Sequence, residues 1–425
     1  MIYTLYNIFR ILIYPLVRYI APVVSKKVKA RVNFEHQNFL CQAAVEHAHY
    51  AFEISSEGEY EQVFPVIESL LLQDKAVEIV YSSDSVDSKI KALAAKYPHQ
   101  IRAQILPIVG YRPWSRMHNS ARWLTADNLF LCRYDFFPEL IYFGSRKTQN
   151  FVLLSATMKN FENKNFFAKV YFRYCLKKFT KIVAVSQLEK ERLVSLVGID
   201  PTKIEVYDFR IVQIEKRLNS YQQTLDEKWP LWREFQAQLR KSQKPSAIFG
   251  SFWNHDFSLI KDVYQNNNLC IVPHKLGEKE LTELRNLFVK NQIAYREIKA
   301  DDQKIDENFE GVYLINIKGI LCELYKLFDQ AYVGGGFGIS IHSVLEPYIA
   351  GCNVLVGPKN HRSSEYDLIR EYDKNMIESF SDRDQLVKAL NNKIEISNSH
   401  EDFVYHYRGH LDALLMWLEV GEKLA

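Results

Sequence analysis

A chain of 425 residues, 47% hydrophobic and 25% charged, is too long for one ordinary core and too apolar to be disordered. Its formal net charge of +3 gives no charge-based case for a nucleic-acid partner, and none is expected. The six cysteines, Cys41, Cys132, Cys175, Cys270, Cys322 and Cys352, stand outside metal-ligand spacing of one another, so the expectation is reduced, buried thiols and not a disulfide or zinc framework.

Residues 1–31, MIYTLYNIFRILIYPLVRYIAPVVSKKVKAR, are apolar and aromatic up to Val24 and then basic at Lys26, Lys27, Lys29 and Arg31. Arg10 and Arg18 interrupt the run, so no uncharged stretch reaches the ~20 residues of a spanning helix. Neither the early basic region nor the small-residue cleavage site of a signal peptide is clear. The segment reads as an anchor lying in the cytoplasmic face of a membrane, with a single tilted span and an ordinary packed helix as the alternatives.

From residue 48 short apolar runs alternate with helical patterns. The strand candidates of the first half are AHYAFEIS, AVEIVYS, IRAQILPI, NLFLCRYD, NFVLLSAT, KIVAVS and KIEVYDF. Residues 212–245 are polar and Gln-rich and read as a linker carrying one helix. The alternation resumes with SAIFGSF, NLCIVPH, IAYREIK, GVYLIN, AYVGGG and NVLVGP, and residues 401–425 close the chain with a long helix. Buried strands alternating with amphipathic helices predict an α/β protein of two Rossmann-like domains, 32–211 and 246–400, with a cleft between them. Ligands in such sheets bind beyond the carboxyl ends of the strands, so the strand-to-helix turns are the places to search.

The turn in AYVGGGFGISIHSVLEP carries Gly334, Gly335, Gly336 and Gly338, four of only 16 glycines in the chain. Glycines permit positive φ and close approach of a phosphate to the amides. A helix is predicted from about Ile341, which sets His342 and Glu346 four apart on one face, the carboxylate suited to a ribose diol. GGGFG is not the dinucleotide fingerprint GxGxxG. In SSEGEYEQ, Ser55 and Ser56 are candidate caps, Glu57 favours the helix dipole, and Gly58 hints at a constrained turn presenting Glu59, placed to remove a proton from an attacking hydroxyl. RYDFFPEL sets Asp135 after a strand, with Pro138 at a helix start. VYDFR supplies Asp208 and Arg210, GSFW supplies Gly250 and Ser251, and VPHK supplies His274 and Lys275. No DxD-type site, HExxH, P-loop or GxSxG is present, and neither metal nor cofactor is expected.

With these turns in order, the sequence resembles the Kdo (3-deoxy-D-manno-octulosonic acid) transferases of lipid A biosynthesis, CMP-Kdo-dependent inverting glycosyltransferases of the GT-B fold. The resemblance runs nearly end to end. Ser55-Ser56-Glu57-Gly58-Glu59 is similar to their SVGE-type motif, Asp135-Phe136-Phe137-Pro138 to ELWP, and Tyr207-Asp208-Phe209-Arg210 to the GDTRF/GNLKF stretch. Gly250-Ser251 matches GS, Val272-Pro273-His274 matches VPRH, and Tyr332 to Glu346 matches YVGGxF…HNxLE. The departures are Ser343 for Asn, Ile320 for the Glu of a GEL motif, Tyr207 for Gly, and the extra acid Glu57. The resemblance implies Glu59 as base, with Asp135 as the second catalytic candidate. It implies CMP held by Gly334, Gly335, Gly336, His342, Ser343 and Glu346, with Ser251, Arg210 and His274 towards the donor. It also implies CMP-Kdo as donor, a lipid A precursor as acceptor, and a place on the cytoplasmic leaflet of the inner membrane. Two alternatives stand beside it: a GT-B transferase with another nucleotide sugar, and a non-catalytic paralogue that binds CMP-sugar or lipid.

Overall fold

The computed structural model describes residues 2–39, 46–133, 135–158, 161–242, 244–305, 309–361, 363–392 and 399–418. Cys41 lies outside them; the other five cysteines are buried free thiols. The chain divides into two compact units. One comprises residues 1–210 with 409–425, the other residues 211–408.

The first unit holds β1 (Tyr50–Ile54), β2 (Val77–Tyr81), β3 (Ile101–Ile105), β4 (Asn128–Cys132), β5 (Asn150–Ala156), β6 (Lys181–Ala184) and β7 (Ile204–Val206). They pair in parallel in the order β3-β2-β1-β4-β5-β6-β7. β1 and β2 are buried along their whole length, which is why they read as continuous apolar runs. Through Ala51 and Val80, one face of these strands packs into a core with Leu129, Leu131, Phe151, Leu153, Ile182 and Ile204. Serines at the strand ends start the helices. Ser56 caps Glu57–Leu72 and Ser186 caps Gln187–Val197, each accepting from the amide three residues on.

The second unit holds β8 (Ser246–Phe252), β9 (Asn268–Pro273), β10 (Tyr295–Ile298), β11 (Val312–Ile315), β12 (Gln330–Val333), β13 (Asn353–Val356) and β14 (Ile377–Ser379), again all parallel, in the order β10-β11-β9-β8-β12-β13-β14. Residues 212–245 differ from the linker expected of them. They form the helices Arg210–Asn219, Tyr221–Lys228 and Trp232–Lys241. Trp229, Trp232 and Phe235 are buried here, with Trp229 and Phe235 rings 5.2 Å apart. A polar composition concealed apolar residues spaced at helical intervals, and they belong to the second unit.

Each sheet reverses its strand order once near the middle, between β1 and β4 and between β8 and β12. The carboxyl ends of these strand pairs are where open α/β sheets hold ligands. Local backbone geometry marks the same ends. Arg133 after β4, Ser155 in β5 and Ser251 in β8 have φ of 63°, 52° and 48°. The register of β5 and of β8 shifts at those serines, as bulges that re-aim a strand end do.

The N-terminal segment is helical over Ile2–Pro15, continues through a wider turn at Leu16–Ile20 and Ala21–Val24, and resumes at Lys26–His36. Arg10 interrupts the apolar run because protein covers it. Its guanidinium reaches Glu139 at 2.9 Å and the carbonyls of Pro107 and Ile108 at 2.5 and 2.8 Å, and stacks on Tyr111. Further on, Glu35 accepts from the amides of Ile108, Val109 and Gly110, and Arg31 pairs with Glu35 and donates to the Leu106 carbonyl. The opposite side of the segment leaves Leu5, Phe9, Leu12, Leu16, Val23 and Val24 exposed.

Candidate functional site

At the reversal point of the first sheet, Glu59 and Asp135 meet. One carboxylate oxygen from each, and one from Glu53 of β1, lie within 4.8 Å of one another. Glu59 sits in the first turn of the helix that Ser56 caps, and its Oε2 accepts from the Ser55 amide at 2.7 Å. That bond makes it a capping residue as well and leaves Oε1 for other work. Glu59 is 6% exposed and Glu53 1% exposed. Burial pushes both carboxyls up, that of Glu53 well above the usual carboxylate range. The Ser55 bonds oppose this, and the charge of Asp135 adds to it. Arg133 alone of the nearby charges favours ionised Glu59.

Glu57 is a different kind of acid. It is more than half exposed and pairs with Lys89 at 2.8 Å. Gly58 requires none of the conformational constraint expected of it: it lies inside the helix, and a Cβ there would meet nothing within 4 Å. Glu53 was missed by sequence reasoning. The signal was an acid in the middle of YAFEI, a strand otherwise apolar and buried throughout.

In the second unit the glycine turn answers first to its own chain. A Cβ on Gly334 would lie 2.4 Å from the Ser251 carbonyl, and one on Gly336 would lie 2.6 Å from the Gly357 amide. Gly335, at φ 94°, would place a Cβ 2.3 Å from the Ser340 carbonyl. Three strand-end turns thus touch backbone to backbone, which only glycine permits. The amides are partly used: Gly334 donates to the Gly250 carbonyl and Gly335 to Oδ2 of buried Asp256. Gly336 is the one of the three whose N–H has no protein acceptor among the described residues. Lys359 bonds the Gly338 carbonyl and supplies this turn with a cation.

Beside the turn stands an aromatic stack. Trp253, following β8, lies 4.7 Å from the His274 ring, and His274 lies 4.0 Å from His342. The Trp253 indole donates to Nε2 of His342 at 3.1 Å, so that nitrogen carries no proton. Burial, with His274 beside it, holds the His342 imidazole down to about 4, and burial and Lys275 lower His274. Both rings are therefore neutral at pH 7. Ser251 contributes its carbonyl and its positive φ to the turn.

Two other expectations change. The helix after the glycine turn spans only Leu345–Ile349, so His342 and Glu346 do not share a helical face. Residues 340–344 instead form irregular chain beside Glu365, whose Oε2 accepts from Ser343 Oγ and from the amides of Val344 and Leu345. Ser343 is thus bound to a protein carboxylate. Glu346 lies 3.5 Å from Arg217, and Arg217 grips Glu323 through two bonds of 3.0 Å. Burial pushes the Glu346 carboxyl up to about 7 despite Arg217, with Glu365 and Glu323 adding to the rise. Ile320, where the resemblance looks for an acid, is fully buried, and the acid of that segment is Glu323. Arg210 closes the first unit and is engaged with Asp208, its Nε bonding both carboxylate oxygens at 2.8 and 3.1 Å.

Chemically, the first unit offers a buried carboxylate for taking up a proton. The second offers ring faces, a tight glycine turn and an acid, a set suited to a nucleotide. Residues 26–208 match the family model described as 3-deoxy-D-manno-octulosonic-acid transferase (kdotransferase). A bifunctional glycosyltransferase/methyltransferase of Fusobacterium nucleatum is 24% identical over 280 residues, 64% of this chain and 42% of that protein. The 3-deoxy-D-manno-octulosonic acid transferases of Chlamydia muridarum and Aquifex aeolicus are 24% and 33% identical over 52% and 26% of this chain, and over 50% and 29% of their own lengths. The chain thus spans half or less of the length of these curated relatives. In fold it is similar to the UDP-GlcNAc 2-epimerase of Methanocaldococcus jannaschii, with a TM-score of 0.56 at 11% identity covering 87% of this chain and 99% of that one. A glycosyltransferase of Rickettsia africae gives 0.54 at 13% identity, covering 87% and 98%. Two parallel seven-stranded units of this kind are the GT-B architecture, and over residues 26–208 the chain is similar to the Kdo transferases.

Proposed function

We propose that this protein moves Kdo from CMP-Kdo to a lipid A precursor by a single inverting displacement. The observation that carries the reading is the meeting of Glu59 and Asp135 at the reversal point of the first sheet, inside the segment that matches the family. Glu59 takes the proton of a sugar hydroxyl on the acceptor. The hydroxyl oxygen forms a bond to the anomeric carbon of Kdo, and the bond from that carbon to the phosphate oxygen breaks, releasing CMP. The glycine turn supports the nucleotide: the Gly336 amide and Lys359 meet phosphate charge, and Glu346 accepts from the ribose hydroxyls. Arg210, held by Asp208 at the start of the helix Arg210–Asn219, and His274, just after β9, serve as further donors to phosphate or carboxylate oxygens.

The N-terminal segment supports a membrane-surface location on the cytoplasmic leaflet. Tyr3–Val24 is long and apolar enough, by length and composition, to cross a bilayer. A helix lying in the interface accounts better for one side bound through Arg10 and the other exposing Leu5, Phe9, Leu12 and Leu16. Lys26, Lys27 and Lys29 follow where anionic headgroups would meet them.

A different nucleotide sugar is the second reading, favoured by Ile320 and by Ser343 bound to Glu365. Incubation of purified protein with CMP-Kdo and a tetraacyl lipid A precursor, with the lipid product weighed by mass spectrometry, separates the two. A mass gain of one or more Kdo residues supports the proposal. No gain with CMP-Kdo, but a gain with another nucleotide sugar, overturns it.

A further inference from the structure

Glu53 is the acid that the proposed reaction does not use. It sits in β1 with 1% of its surface exposed, and Ser55 Oγ donates to its Oε1. Its second oxygen, Oε2, is buried with no partner among the described residues. An unpaired, buried carboxylate oxygen beside two further carboxylates is a costly arrangement if all three are ionised. The groups facing it are Glu59 on the following helix, Asp135 and Arg133 after β4, and the Cys132 thiol in β4. Only Arg133 among them carries positive charge.

We infer that Glu53 is a positioning residue that holds one proton at neutral pH and so leaves Glu59 as the ionised member of the pair, ready to act as base. This rests on the reading of Glu59 given above. The assignment of the proton follows from the partners. Glu59 accepts a backbone N–H from Ser55 at 2.7 Å and feels Arg133, both of which favour its charged form. Complete burial and the charges of Glu59 and Asp135 favour the neutral form of Glu53 and outweigh the donations from the Ser55 hydroxyl and the Cys132 backbone. A neutral Glu53 also removes the like charge that would otherwise raise Glu59 further.

Two measurements on the full chain test this. Infrared difference spectroscopy at pH 7 detects the carbonyl stretch of a protonated carboxyl without any need for activity. The expected result is a band, shifted in heavy water, that is present in the wild type and in Glu59→Gln and lost in Glu53→Gln. A Glu53→Gln spectrum identical to wild type overturns the inference. So does loss of the band with stoichiometric uptake of Mg2+, which would make the trio a cation site. In the second measurement, Glu53→Gln, which imitates the protonated acid, keeps kcat/KM at pH 7 within about threefold of wild type and leaves the acid limb of the pH profile in place. Its alkaline side loses the inflection that ionisation of Glu53 gives the wild type. A more than tenfold loss at pH 7 overturns the inference. If the wild type transfers nothing from CMP-Kdo, the functional proposal fails, and the spectrum still decides Glu53 by itself.

Discussion

Arg10 and Glu139, 129 residues apart in sequence, form a buried ion pair at 2.9 Å, with 7% and 1% of their side chains exposed. This pair joins the most membrane-like segment of the chain to the body of the first unit. Removing one partner of a buried pair leaves the other uncompensated and costs about 3–5 kcal/mol. Arg10→Ala is therefore expected to lower the unfolding free energy by that amount. Glu139→Leu in the same chain should recover most of the loss, because no buried charge is then left alone. Denaturant unfolding of the two variants in detergent checks both. A single variant as stable as wild type would mean that the segment is only loosely held. Deleting residues 1–31 would also strip Arg31 from Glu35 and from the Leu106 carbonyl, so the segment is not a detachable anchor.

Glu57 and Glu59 lie two residues apart and have opposite environments. Glu59→Gln keeps the shape and the Ser55 bond but accepts a proton poorly. Transfer should fall roughly 10²–10⁴-fold while CMP affinity changes by less than about threefold. Glu57→Gln removes an exposed pair with Lys89, worth under ~1 kcal/mol, and should transfer as wild type does. Both belong in one assay under saturating donor. Loss in Glu57→Gln alone would overturn the assignment, and loss in neither would point to Asp135.

Thirteen of the fourteen strands were legible because parallel strands covered on both faces read as short, continuous apolar runs. The exception, β14, is three residues long with only Ile377 buried, too short to carry a pattern. The helix after the glycine turn was placed four residues early. Periodicity at Ile341, Val344, Leu345 and Tyr348 is real, but Glu365, far off in sequence, takes the amides of Val344 and Leu345, and the helix starts only at Leu345. The site was legible at Glu59, Asp135 and the glycines, where local motifs mark strand ends. Glu53, Trp253, Asp256 and Lys359 act through neighbours that only folding supplies, and a linear reading gives them no spacing to match.

His342 gives the nucleotide proposal a signature in protons. Its imidazole is held down to about 4 in the free protein, against about 6.5 when unfolded. Because the native value is depressed, the group's contribution to stability is present above pH 6.5 and is lost as pH falls towards 4. A phosphate bound beside the ring would favour the imidazolium and raise that value. Near pH 5.5, where Glu346 gives up its proton to bind the ribose, His342 should therefore take up part of a proton when CMP binds, and at pH 8 it should take up none. Calorimetry in buffers of different ionisation enthalpy measures the uptake, and His342→Asn should abolish most of it. Equal uptake in the variant would place the phosphate away from His342.

Glu346 combines a stability cost with a binding role, and the two have opposite signs. Burial pushes its carboxyl up to about 7, against about 4.3 in an unfolded chain. Between these values the native state holds the proton more tightly, so stability falls as pH rises through that window. Glu346→Gln removes the ionisation, and Arg217 keeps its two bonds to Glu323. The variant should therefore melt higher than wild type at pH 8 and nearly level with it at pH 4. Only the ionised acid accepts from both hydroxyls of a ribose, so wild-type affinity for CMP should rise as pH passes about 7. In Glu346→Gln at pH 8 that affinity should fall by about ten- to a hundredfold, or ~1.5–3 kcal/mol. Thermal unfolding and titration calorimetry on the same preparations read both halves. A variant that is more stable at pH 8 yet binds CMP as tightly as wild type would leave Glu346 as a strained acid serving Arg217 alone. A variant that loses both stability and CMP would mean that the ion pair with Arg217 outweighs the burial of the charge.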